Sequence, residues 1–204
     1  MTTTESGDTD GAGTSDSDAG TVRRAVVLDH LPHGRADDDR PRHRKSPLAY
    51  ALGERDFRLF KLTLADDADV SIGERVVIGP TGERDAVAGF KQVTYDELSN
   101  TAVGELEYAV EEIVAADEER FVDFYNEAQP ITLRLHQLNL LPGIGKKLRN
   151  NVLDQRKRGP FESFEEVEER VSGLHRPKEV LVERILEELR DDDLKYKTFV
   201  GRNG

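Results

Sequence analysis

Residues 138–156 read LNLLPGIGKKLRNNVLDQR. No other stretch restricts the fold as tightly, because Pro142, Gly143 and Gly145 break a pattern that favours helix on both sides. The pattern predicts a helix-hairpin-helix, with a first helix over 131–138, a tight bend, and a second helix over 146–157. A helix starting at Ile144 or Gly145 leaves its first N–H groups without partners. Those donors, with the positive end of the helix dipole, suit a phosphate oxygen. Gly143 is expected to take a positive φ and Gly145 to let a phosphate approach bare backbone, while Ile144 and Leu148 turn inward. Lys146, Lys147 and Arg149 then surround the donors with positive charge, so the expected grip spans residues 141–147. The same run also suits a purely structural turn or a protein-docking element.

The charge pattern favours the phosphate. Residues 142–160 carry Lys146, Lys147, Arg149, Arg156, Lys157 and Arg158 against Asp154 alone, in a chain of formal net charge -12. A cationic island in an anionic protein points to a polyanion. Part of the acidic excess sits in residues 1–20, where Glu5, Asp8, Asp10, Asp16 and Asp18 meet no basic residue. The rest, with arginine commoner than lysine, is the surface expected of a protein adapted to concentrated salt. Cys 0 excludes disulfides, thiolate metal sites and cysteine nucleophiles. No apolar run approaches the roughly 20 residues of a membrane span, and the N-terminus lacks the basic and apolar regions of an export signal. A cytoplasmic chain with no membrane partner is expected.

Residues 1–20 hold no large apolar side chain beyond Met1, which predicts a disordered acidic tail. Short β-like runs follow at 24–31, 57–64, 75–78 and 86–93, and their spacing predicts a small five-strand, OB-like β-barrel over 21–100. Apolar groups on both faces of 57–64 mark a central strand of a curled sheet. The loop 33–46 ends in Arg40, Arg42, Arg44 and Lys45, read either as a solvated loop or as an arm that settles on a phosphate backbone. His30, His33 and His43 lack metal-ligand spacing, so neither a metal nor a cofactor is expected. Gly-Glu-Arg-Asp at 53–56 and again at 82–85 reads as two polar turns.

Thr94 and Glu97 are spaced as a capping box, and a helical connector is expected over 101–130 with Asp117 capping a new start. Ser163 and Glu166 form a second box. A degenerate second hairpin follows, in which His175, Arg176 and Lys178 are candidate contacts although Pro177 removes one N–H donor. Residues 131–190 thus form an all-α helix-hairpin-helix pair, and 191–204 an extension with Tyr196 and Phe199 folded back. The fold class is α+β.

Five blocks carry a resemblance. VVLDHLPHG (26–34), GERVVIGPTGERD (73–85), YDELSNTAVGEL (95–106), FVDFYNEAQPITLRLHQLNLLPGIGKKL (121–148) and GPFESFEEVEERV (159–171) resemble an archaeal family catalogued as domain of unknown function 655. The likeness runs from about residue 22 to 189. It implies an RNA- or nucleotide-binding protein with an OB-like part and a helix-hairpin-helix pair, whose genes neighbour those of transcription and translation, and it implies no reaction. It places Gly143, Ile144, Gly145, Lys146 and Lys147 at the phosphate-facing hairpin. The expected function is non-catalytic nucleic-acid binding with RNA preferred over DNA. The alternatives are a scaffold of the transcription or translation machinery and, third, a structure-selective nuclease or its accessory subunit, for which Glu83 and Asp85 are the acids to test.

If the acidic surface is a salt adaptation, thermal unfolding followed in rising KCl should show Tm increasing from dilute to molar salt, where the Debye length falls to roughly 3 Å. A fold most stable at low salt would contradict it.

Overall fold

The computed structural model describes residues 22–34 and 46–201. The basic loop residues Arg40, Arg42, Arg44 and Lys45 lie outside them, as does the acidic tail. Five strands, β1 (Arg23–Leu31), β2 (Leu48–Gly53), β3 (Leu59–Leu64), β4 (Arg75–Gly79) and β5 (Val87–Val93), form one sheet in the order β4-β1-β2-β3-β5. Every neighbouring pair is antiparallel, so the edge strands β4 and β5 run in the same direction. The sheet curls until those two edges approach each other.

Both faces are buried. Val26, Leu28, Tyr50, Leu52, Leu59 and Val93 pack toward the helices, whereas Ala25, Val27, Ala49, Ala51, Phe60, Leu62 and Leu64 fill the inside of the curl with Val76, Ile78 and Val87. This alternation explains why β3 carries apolar side chains on both faces, with only Lys61 and Thr63 half-buried among them. It also explains why β2, the central strand, was not among the expected β runs. LAYALG has weak strand propensity, but Ala49 and Ala51 are fully buried on the concave side, opposite Leu62 and Phe60 of β3.

Helix α1 (Asn100–Ala116) lies across β1 and β2 through Leu106, Ala109, Val110 and Ile113. Its start is fixed by the sheet. A bulge between Val27 and Asp29 shifts the register there, and the buried Asp29 accepts a 2.5 Å bond from Ser99 Oγ. Ser99 Oγ in turn accepts the Ala102 N–H at 3.1 Å as N-cap. The Thr94–Glu97 box forms, and the Thr94 N–H holds the Glu97 carboxyl below the usual carboxylate range. Asp117 marks the break between α1 and α2 (Glu118–Glu127) but makes no side-chain cap. Arg120 stacks over Phe57 and Phe121 and donates to the carbonyls of Glu54 and Arg55, which ties α2 to the β2–β3 turn.

The expected helix over 131–138 is not formed. Pro130 and His136 make an isolated β-bridge, and only Gln137–Leu140 winds, as a 3-10 turn. Local side chains take the backbone donors that a helix would need. Thr132 Oγ accepts the N–H groups of Arg134 and Leu135, and His136 Nδ1 accepts that of Leu138. Helices α3 (Lys146–Arg156), α4 (Phe164–Arg170) and α5 (Pro177–Arg190) follow. Ser163 caps α4, while Glu166 reaches one residue further back, to the Glu162 N–H. Tyr125 donates to the Pro177 carbonyl at 2.8 Å, and burial pushes its phenol well above its ordinary pKa. One apolar cluster runs continuously from the outer face of the sheet through α1 and α2 to α5.

The chain end returns to this cluster. Glu188, fully buried, accepts the N–H groups of Thr198 (2.7 Å), Phe199 (2.8 Å) and Val200 (3.0 Å) together with Arg184 Nε (2.9 Å). Phe199 then packs 5.0 Å from Phe124, ring centre to ring centre. Glu188→Ala should destabilise the protein by about 3–5 kcal/mol in urea denaturation, since it strands three buried backbone donors and leaves the buried Arg184 with only Glu187 and the Tyr196 carbonyl as partners. Replacing both members (Arg184→Met with Glu188→Met) should not recover the loss, because three backbone donors would still lack their acceptor.

Candidate nucleic-acid interface

The bend at residues 141–145 is built from both ends. Leu141 and Ile144 are buried, the Ile144 N–H bonds the Leu141 carbonyl at 3.1 Å, and Asn139 Nδ2 donates to the Ile144 carbonyl at 3.0 Å. Gly143 has φ +74°, in the left-handed region, and Gly145 is extended as the N-cap of α3. Ile144 and Leu148 turn into the fold as the spacing predicts.

Helix α3 begins without a side-chain cap, unlike α1 and α4. Its first intrahelical bond is from the Arg149 N–H to the Gly145 carbonyl, at 3.0 Å. The N–H groups of Lys146, Lys147 and Leu148 therefore lie in the first turn with no helical acceptor. A Cβ built on Gly143 or Gly145 would meet nothing within 4 Å, so the approach to those donors is open. Lys146 and Lys147 are exposed, and among the described residues neither is in an ion pair.

Arg149 is less free than its neighbours. Its guanidinium donates to Asn139 Oδ1 at 3.2 Å and to Asn150 Oδ1 at 2.9 Å, which keeps the charge but fixes its place beside the turn. The rest of the cationic island differs from the expectation. Arg156 turns inward, and its Nη1 donates to the carbonyls of Tyr125, Asn126 and Ala128, closing the C-terminus of α2. Lys157 pairs with Asp154 at 3.0 Å. Beneath the turn, burial first and then the charges of Arg156 and Arg149 hold His136 below its ordinary pKa, which keeps its Nδ1 available as an acceptor.

The second turn repeats the first. Val171 and Leu174 are buried like Leu141 and Ile144, the Leu174 N–H bonds the Val171 carbonyl at 3.1 Å, and Gly173 has φ +89°. The turns are adjacent, because Asn151 of α3 donates to the Ser172 carbonyl and Leu148 lies under Gly173. They diverge after Leu174. One extra residue precedes α5, Arg176 takes φ +50° as its N-cap, and Pro177 occupies the first position without an N–H. His175 faces Glu168 at 3.5 Å, Arg176 is exposed, and Lys178 is half-buried.

Sequence reasoning missed two features near these elements. Leu133 is fully exposed at the apex of the Thr132-centred loop, where the lost helix left it. Arg23 and Arg84 both lie over the ring of Phe90 on the sheet. Neither has a sequence signature, since each depends on how a loop or strand is oriented. Glu83 and Asp85 are exposed around a 3-10 turn, and among the described residues no group of three or more His, Asp or Glu could hold a metal ion. No helix among them is long and apolar enough to cross a membrane.

A curled five-strand antiparallel sheet, packed on five helices with two related glycine turns at the starts of α3 and α5, defines an α+β fold. The chain belongs to the family described as protein of unknown function (DUF655), matched over residues 21–201. It is 42% identical over 178 residues to the uncharacterized protein MJ0038 of Methanocaldococcus jannaschii, covering 86% of this chain and 78% of that protein. The crystal structure of Af1531 from Archaeoglobus fulgidus, described under the same family, superposes with a TM-score of 0.80 at 44% identity, covering 87% of this chain and 99% of that one.

The two glycines are separable by stability. Gly143→Ala should cost about 1–2 kcal/mol, because an L side chain would be forced into the left-handed region. Gly145→Ala, at an N-cap with an allowed φ, should cost less, about 0.5–1 kcal/mol in urea denaturation.

Proposed function

We propose that the protein is a non-catalytic nucleic-acid-binding protein that grips phosphate backbone through residues 141–147, with RNA preferred over DNA. The observation that carries this reading is the open start of α3. Three N–H donors without helical acceptors, two glycines with free space above them, and two unpaired lysines meet at one exposed point. On this reading the two glycine turns are a helix-hairpin-helix pair. The first holds phosphate and the second, weakened by Pro177, mainly braces it. The curled sheet is the OB-like half, and the setting is the cytoplasm of a cell with concentrated internal salt. The preference for RNA rests on the family resemblance alone, since backbone donors do not distinguish ribose from deoxyribose.

A docking function has one observation in its favour. Ile72 and Tyr108, 46% and 58% exposed, border a single shallow cleft beside α1. A protein of the transcription or translation machinery would cover them. Purification from cells with and without nuclease separates the readings, because partners that survive nuclease favour docking.

Fluorescence anisotropy on RNA, single-stranded DNA and duplex DNA tests the primary reading. Lys146→Gln with Lys147→Gln should weaken binding to every sequence alike and reduce the log–log salt slope by about one for each lysine removed. If Gly143→Ala and Lys146→Gln leave affinity unchanged on all substrates, the hairpin grip is wrong.

A further inference from the structure

The sheet carries a second concentration of positive charge. Arg23 opens β1, opposite Gly79 at the end of β4, and Arg84 lies in the turn between β4 and β5. All three meet where the sheet edges approach, and both guanidiniums lie over the half-buried ring of Phe90, at 5.7 and 4.9 Å from its centre. Phe90 is itself held edge-on by Phe60, at 5.4 Å. Position 79 is shaped for the first arginine, because a Cβ there would come within 3.1 Å of Arg23 Nε.

Two like charges on one ring repel, and a carboxylate between them would be the ordinary remedy. Among the described residues neither Arg23 nor Arg84 is in an ion pair, although acids outnumber bases by 41 to 29 and Glu83 and Asp85 flank Arg84 in sequence. Arg84 Nε is buried without an acceptor, so its desolvation is not offset by a hydrogen bond. With Nε buried, a guanidinium over a ring still has its two Nη groups for parallel bonds to a phosphate, and a guanidinium plane can also stack on a base.

We propose that Arg23 and Arg84, held against Phe90, form a second phosphate site that takes one phosphodiester of a single-stranded nucleic acid, with an unpaired base on the outer guanidinium face. The assignment to nucleic acid rests on the function proposed above. The anion site itself does not. Single strands are favoured because stacking on a guanidinium needs a base that is free of its pair.

Two readouts on the full chain separate these claims. In anisotropy with a short labelled oligouridine RNA, Arg23→Gln with Arg84→Gln should lower affinity about tenfold or more and reduce the log–log salt slope by roughly 0.7 per phosphate released. Gly79→Ala, which crowds Arg23 while removing no charge, should lower affinity in the same direction and guards against misfolding of the double variant. In NMR, inorganic pyrophosphate should shift the Arg84 Nε–H resonance of the parent protein. If RNA binds the parent and all these variants equally, the second site is overturned while the hairpin reading stands. Equal loss on duplex DNA overturns the single-strand assignment. A pyrophosphate shift without any RNA binding overturns the nucleic-acid assignment of both sites and leaves a site for free phosphates. No shift and no RNA binding overturns everything.

Discussion

The buried carboxylate of Glu188 holds the sheet and the helices in one arrangement. Its two oxygens take three consecutive backbone N–H groups of the chain end and one guanidinium N–H, so every bond of this buried charge is made within the protein. The return segment it fixes does two things. Phe199 joins Phe121 and Phe124, and Gly201 donates to the Asp56 carbonyl while its own carbonyl accepts from Arg58. The β2–β3 turn, α2 and α5 are thereby joined by a segment of a few residues. The two glycine turns inherit their position from α5 and α3, which this clamp helps to hold against the core.

Arginine closes the remaining gaps by a common device. Arg156 caps α2, Arg120 holds the carbonyls of the β2–β3 turn, and Arg170 donates to the carbonyls of Gln155, Gly159 and Pro160 while stacking on Phe161. A planar fork of donors suits clustered carbonyls in a way a lysine ammonium does not. Much of the positive charge that looks available in the linear chain is therefore engaged inside the fold.

That engagement sets how far the chain was legible from its sequence. β1, β3, β4 and β5 were readable from their β-branched and aromatic residues, and α4 from Ser163. β2 was not, because its alanines are weak strand formers and their burial on the concave face is defined only by the assembled sheet. The segment 131–138 looked helical by composition, yet Thr132 and His136 spend their side chains on the local backbone. The glycine turn was readable because a positive φ restricts residue choice so strongly. The inward direction of Arg156, and the convergence of Arg23 and Arg84 on Phe90, were not, since charge along a sequence says nothing of which way a side chain turns. The basic loop residues Arg40, Arg42, Arg44 and Lys45 lie outside the described structure.

With so many arginines turned inward, the proposed interface has few cations left to oppose a net charge of -12. At low ionic strength the protein's own field would repel a polyanion before contact. In molar salt that field is confined to roughly 3 Å, and the gain from counterions released by lysines fades as well. Neutral backbone N–H donors lose least under these conditions, because their bonds to phosphate depend on geometry and the local helix dipole more than on net charge. On the proposed reading, a grip built from the uncapped start of α3, with Lys146, Lys147 and Arg149 beside it, is therefore the form of phosphate contact that an acidic protein would keep if it works in concentrated salt.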